Sequence, residues 1–188
     1  MEYSSIDIQK IEKKSINKMG ATGKFIKLHY TGDGGPNVKI QLPSIRVDKK
    51  PYTYEGEQNK MYFILGLKEN ENKDSLVKFF NDFDNWMITL IADYSLEWFD
   101  TKLHFNDVKN MYKKTLFEKG EEVNLRLKLP FHYGKCNCAI SKEDGEPLSF
   151  ESVNDNDMCH CIIDLNGIWY TPKSIGVTWN CTKINLVR

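Results

Sequence analysis

With 188 residues, 40% of them hydrophobic and 12% aromatic, the chain can bury one substantial core and is too short for several domains. Its 26 basic and 26 acidic side chains cancel, which excludes a uniformly basic field, so any surface for a polyanion has to be local. No apolar run reaches the ~18 residues of a membrane span, and the first residues lack the apolar stretch of a secretory signal. Five cysteines, an odd number, then favour reduced thiols in an intracellular protein over a disulfide framework.

Residues 1–22 carry Lys10, Lys13, Lys14 and Lys18 among isoleucines at only partly helical spacing. They predict a basic arm or short helix outside a single domain spanning 23–188. Gly20 to Lys24 has the look of a phosphate loop, but the first glycine of such a loop is missing and Phe25 stands where Ser or Thr would hold magnesium, so it is rejected as a nucleotide site. Phe25 to Tyr30 and Val38 to Leu42 bracket a Gly-rich stretch and predict a hairpin, whose second strand Pro43 ends. Residues 44–59 read as a loop that is basic and aromatic together, with Arg46, Lys49, Lys50, Tyr52 and Tyr54; Met61 to Leu67 reads as a third strand.

Over 74–98 the period changes. Leu76, Phe79, Phe80, Phe83, Trp86, Met87, Leu90, Ile91, Tyr94 and Trp98 recur at three and four, predicting an amphipathic helix that covers one side of a barrel. Asn72 or Asp74 can cap it, and Asp82, Asp84, Asp93 and Glu97 fall on or near its polar side. A shorter basic helical segment is expected over 106–119, stopped by Gly120. Val123 to Leu129 alternates strictly, with Arg126 and Lys128 outward, and Pro130 ends it. Phe131, Tyr133 and Lys135 follow, then a strand over 136–141 and an acidic loop over 142–157. Two period-two runs flank Thr171 to Ser174 and predict a β-hairpin over 159–187, with Tyr170 and Lys173 at its tip. The apolar parity changes between Cys181 and Ile184, which predicts a bulge near Thr182 and Lys183, as a strand needs when a sheet curls into a barrel.

Cys136 with Cys138 and Cys159 with Cys161 are each one residue apart. On a strand that spacing puts both thiols on one face, which suits core filling better than a zinc site, so neither metal nor cofactor is expected. His29, His104, His132 and His160 share no spacing with a nucleophile, and no enzyme is expected. Binding is the chemistry that remains. A single-stranded nucleic acid is held by cations that track its backbone and aromatics that stack on its bases. Arg46, Lys49, Lys50, Tyr52, Tyr54, Arg126, Lys128, Phe131, Tyr133, Lys135, Tyr170 and Lys173 are the candidates.

Several of these stretches form a familiar series. Gly23 to Ile26 with its Gly-rich turn, Val38 to Pro43, Val123 to Pro130, and above all Gly167-Ile168-Trp169 with Lys173, Gly176 and Trp179 resemble single-stranded DNA-binding proteins of nucleocytoplasmic large DNA viruses. Those proteins are in turn similar to the single-stranded DNA-binding proteins of short-tailed bacteriophages, and the resemblance covers most of residues 23–187. It implies a mainly β, α+β oligonucleotide-binding (OB) fold, with a long helix inserted between strands three and four of a small barrel. It also implies a protein that binds and protects single-stranded DNA without strong sequence preference, supporting viral DNA replication, recombination or repair. The partners expected are single-stranded DNA, replication proteins and a second copy of the chain, with no membrane, in the host cytoplasm or at a viral replication site. The alternative is a non-enzymatic β-barrel module of a DNA virus that acts through protein–protein contacts, which the balanced charge and the acidic stretch Glu143 to Asp157 suit.

Overall fold

Alternating apolar side chains organise most of the chain into strands, and the structure, a computed structural model, describes residues 6–32, 36–55, 60–132 and 134–188. A 3-10 turn at Ile8–Lys10 leads into β1 (Ile11–Met19) and β2 (Gly23–Tyr30), followed by β3 (Lys39–Gln41), β4 (Ile45–Tyr52) and β5 (Met61–Gly66). Helix α1 (Lys73–Phe99) and the shorter α2 (Phe105–Met111) come next, then β6 (Tyr112–Lys113), β7 (Leu116–Lys119) and β8 (Glu122–Leu129). The small β9 (Phe131–His132), β10 (Lys135–Cys136) and β11 (Ala139–Lys142) precede two long strands, β12 (Met158–Thr171) and β13 (Ser174–Val187).

Five strands close a barrel in the order β4-β5-β8-β13-β12, because β12 pairs with both β13 and β4. Neighbours are antiparallel except β8 and β13, which run parallel. Phe63, Leu65, Leu125, Leu127, Cys161, Ile163, Trp179 and Cys181 point inward and are buried, whereas Tyr62, Ile64, Arg126 and Lys128 alternate with them on the outside. The mainly β class and the barrel are as expected from the sequence.

The predicted bulge is present. Ile162 pairs with Lys183 and Ile163 with Cys181, so Thr182 is the extra residue. A second irregularity leaves Asn166 extra between the Leu165–Trp179 and Gly167–Thr178 pairs. Each extra residue bends the ribbon. With two such bends, β12 meets three partners in succession along one edge: β4 at Met158 and Cys159, β3 at Ile162 to Asp164, and β2 at Gly167 to Tyr170.

Several expectations are corrected. The N-terminal segment is neither arm nor helix over Ile11–Met19; it is an edge strand on β2, with Ile16 opposite Ile26 and a bulge after Lys13 that hides the period. β2 and β3 do not form a hairpin with each other, since both pair with β12. The expected loop at 44–59 contains β4, where Ile45 and Val47 are buried, Ile45 opposite Cys159 of β12 and Val47 opposite Leu65 of β5. Residues 112–119 form β6 and β7 rather than a helix, and Asn137-Cys138 interrupts the strand expected over 136–141. Helix α1 enters between the second and third strands of the barrel ring, not between the third and fourth, because β2 and β3 lie outside the ring.

Helix α1 buries Leu76, Phe80, Phe83, Met87 and Ile91. The rings of Phe80 and Phe83 sit 5.9 and 5.1 Å from that of Trp179, and Phe99 stacks on Tyr170 at 4.2 Å, so the helix lies along β12 and β13. Ion pairs Lys13–Glu97 and Lys24–Asp100 tie β1 and β2 to its C-terminal end. Asp84 was expected on or near the polar side; it is 3% exposed. Its carboxylate accepts from the Tyr112 hydroxyl at 2.8 Å and from the Thr115 N–H and hydroxyl at 2.8 and 2.7 Å, which pins β6 and the turn after it to α1. Among the described residues, no helix is long and apolar enough to cross a membrane.

Burial raises the Asp84 pKa above 3.8 despite those hydrogen bonds. A carboxyl with a raised folded pKa holds its proton more tightly folded than unfolded, so its stability contribution is full at acid pH and falls as pH rises from about 3.8 through the raised value. Urea unfolding of wild type and Asp84→Asn between about pH 4 and about pH 7 is expected to show the wild type losing stability relative to the variant as pH rises. A constant difference over that range would count against a strained carboxylate.

Candidate nucleic-acid interface

The outer face of β4, β5 and β8 carries two cross-strand rows. Pairing aligns Lys49 with Ile64 and Arg126, and Tyr52 with Tyr62 and Lys128. Ile45 and Val47 face inward, so strict alternation would turn Lys49 inward as well. Register shifts on both sides of Lys49 reverse that parity, and they bring Lys49 and Tyr52 onto the same outer surface.

Tyr54, just past β4, folds back over this surface. Its hydroxyl lies 3.3 Å from that of Tyr52 and accepts from Arg126 Nη1 at 3.2 Å. The three tyrosine rings form a triangle, with centroids 5.3 Å (Tyr52–Tyr54), 5.6 Å (Tyr54–Tyr62) and 6.2 Å (Tyr52–Tyr62) apart. Lys49 Nζ stands 4.1 Å from the centre of the Tyr52 ring, and the Arg126 guanidinium lies 5.7 Å from that of Tyr62. Burial, then the bond to Tyr54, pushes the Tyr52 phenol up, while the bond from Tyr52 together with Arg126 draws the Tyr54 phenol down. The Tyr54 hydroxyl thus lies between the Tyr52 hydroxyl and the Arg126 guanidinium, and the residue is 44% exposed. Rings with an open face beside fixed cations can stack on bases and contact phosphates together.

The structure therefore unites Lys49, Tyr52, Tyr54, Arg126 and Lys128. Sequence reasoning missed Tyr62, which was absorbed into an apolar run although it has the opposite parity to Met61, Phe63 and Leu65. The remaining candidates lie apart. Arg46 is committed to Asp48 (3.7 Å), Glu122 (3.6 Å) and the Asn156 side chain (2.9 Å). The Lys50 N–H is held by Asp155 Oδ1 at 2.7 Å, which ties its backbone to the acidic segment, and its side chain is exposed. Phe131 is half-buried against Phe150, with centroids 6.1 Å apart, and Lys135 is exposed on the β9–β10 pair. Tyr133 lies outside the described residues. Tyr170 is corrected from a ligand contact to a core residue, 8% exposed, because Phe99 covers it. Lys173 is exposed at the β12–β13 turn, but Asn180 is the residue opposite Lys128 and β13 runs parallel to β8, so this turn lies toward the other end of β8 from the tyrosines.

All five cysteines are free thiols. Cys138, Cys159, Cys161 and Cys181 are buried, with Cys159 Sγ 3.6 Å from Cys161 Sγ and Cys136 half-buried at the periphery. The bond to Cys161 and burial push the Cys159 thiol up, and burial pushes up Cys181 and Cys136. Among the described residues, no group of three or more His, Cys, Asp or Glu side chains is gathered so as to hold a metal ion. Thiolate is the reactive form. An aromatic disulfide reagent is expected to titrate at most Cys136, slowly, in the native protein and all five thiols in guanidinium; rapid native reaction of several would mean that the barrel opens readily.

No curated protein matches the chain. A family model described as "Family of unknown function (DUF5871)" matches residues 68–188, more than half the chain, from just before α1 to the end of β13. The chain belongs to that family of unknown function.

Proposed function

We propose that this protein binds single-stranded DNA without strong sequence preference and carries out no catalysis. The observation that carries the reading is the triangle of Tyr52, Tyr54 and Tyr62 flanked by Lys49 and Arg126 on one barrel face. We read the barrel itself as an OB fold. In support, its fourth strand returns to pair with its first, and its third and fifth strands run parallel. The cluster spans the first three strands of the ring and the connection after the first, and so overlaps the surface of strands two and three with which OB folds hold oligonucleotides. The resemblance to viral and phage single-stranded DNA-binding proteins supports the same reading and suggests a role in replicating, recombining or repairing a viral genome.

Fluorescence anisotropy with labelled oligo-dT tests it. Binding is expected at low salt and should weaken steeply as salt rises, since cations displace counterions from the strand. No binding at low salt, or binding indifferent to salt, would overturn the proposal. A second reading, a barrel module that docks on other proteins, draws on the acidic stretch from Glu143 to Asp157, most of whose residues are exposed. A stable complex or oligomer by light scattering, together with no affinity for oligo-dT, would favour it.

A further inference from the structure

Beyond the barrel, β1, β2, β12, β13 and β6 form a continuous sheet with α1 on one side. Ile26, Ile168, Tyr170 and Ile175 face the helix side and are buried. The residues alternating with them face away. One cross-strand row there reads Asn17, Phe25, Trp169, Gly176, Lys113, and the next reads Ser15, Lys27, Gly167, Thr178. Neither row contains an acidic residue, and Lys27 and Lys113 are exposed.

The two glycines explain how this face is shaped. A Cβ at Gly176 would lie 2.5 Å from Cζ2 of Trp169, and one at Gly167 would lie 2.8 Å from Cζ of Phe25. Each aromatic ring therefore occupies the space that a side chain on the neighbouring strand would fill, and both rings stay half-exposed. Phe25 and Trp169 are direct cross-strand partners. The face joins the tyrosine cluster along β13: Lys128 meets Asn180 across β8 and β13, Asn180 pairs with Asp164, whose charge Lys39 opposes from β3, and from there β13 leads through Thr178 to Gly176.

We propose that Phe25 and Trp169, with Lys27 and Lys113, form a second stacking platform, on which a single strand continues after leaving the tyrosines. This inference rests on the single-stranded DNA reading. Aromatic faces supply base contacts, the two lysines supply phosphate contacts, and the absence of carboxylates on these rows suits a polyanion better than a basic protein partner.

Photo-cross-linking with 5-iododeoxyuridine-substituted oligo-dT tests it on the intact protein. Oligomers of about 6 and about 20 nucleotides bracket the span of one OB barrel. Both are expected to cross-link at the tyrosine cluster, and only the longer at Phe25 or Trp169. Trp169→Ala should weaken binding of the long oligomer at least severalfold and leave the short one unchanged. Because that variant could disturb the sheet, Lys27→Ala with Lys113→Ala serves beside it, and should lower the salt slope for the long oligomer by about 1.4. If the long oligomer cross-links only at the tyrosines and neither variant affects it, the second platform falls while the function stands. If neither oligomer binds at all, both fall.

Discussion

Reversing the charge of Lys49 and Arg126 together, to glutamate, is expected to lower affinity for oligo-dT by at least about a hundredfold at low salt. Two phosphate contacts are lost, which alone should reduce the salt slope by about 1.4, and two like charges are set beside the strand. Both cations also lie against tyrosine rings, so their loss loosens the stacking surface as well. Fold stability should change by less than about 1 kcal/mol, because both side chains are exposed and their contacts are with rings at the surface. Tyr54→Ala isolates stacking, with an expected cost of about 1–3 kcal/mol in binding. Lys50→Glu should matter less, since the backbone of Lys50 is tied to Asp155 and the acidic segment already sets negative charge beside it. Arg46→Ala should instead cost stability, because Asp48 and Glu122 lose their partner. Unchanged affinity and salt slope in the Lys49/Arg126 reversal would mean that the tyrosine face is not the interface.

The parts of this fold that could be read in advance are those whose pattern is local and long. Helix α1 spans Lys73–Phe99 against an expectation of 74–98, since its apolar residues keep one period for seven turns. The last hairpin and its bulge at Thr182 were legible because a change of parity between Cys181 and Ile184 has one simple structural meaning. β4 was not, since only Ile45 and Val47 alternate before Lys49, Lys50 and Pro51 interrupt, and its bulges are set by pairing with β5. β1 was obscured by its own bulge. The site divides in the same way. Composition found Lys49, Tyr52, Tyr54 and Arg126, yet only tertiary pairing could add Tyr62, commit Arg46 to carboxylates and cover Tyr170 with Phe99. Distant partners decide which of several equivalent-looking side chains is left free to bind.

Trp179→Ala is expected to destabilise the protein by about 3–5 kcal/mol, the usual cost of emptying a buried aromatic site. Trp179 is 3% exposed on the inward side of β13, with Phe80 and Phe83 of α1 against its ring, so the cavity opens where the helix meets the barrel. Domains of this size have total stabilities of about 5–15 kcal/mol, so the variant would keep only a fraction of that, with Tm lower by about 6–20 °C. Trp179→Phe should cost far less. It retains most of the apolar contact and removes an indole N–H that is buried without a hydrogen-bond partner among the described groups. Circular dichroism during denaturation can separate two forms of failure. A single transition at lower denaturant in Trp179→Ala, with helical and strand signals lost together, is the expected result, because α1 supplies one wall of the same core. Loss of the helical signal in an earlier, separate step would mean that the barrel holds without α1, and that the contacts of Trp179 only attach the helix to it.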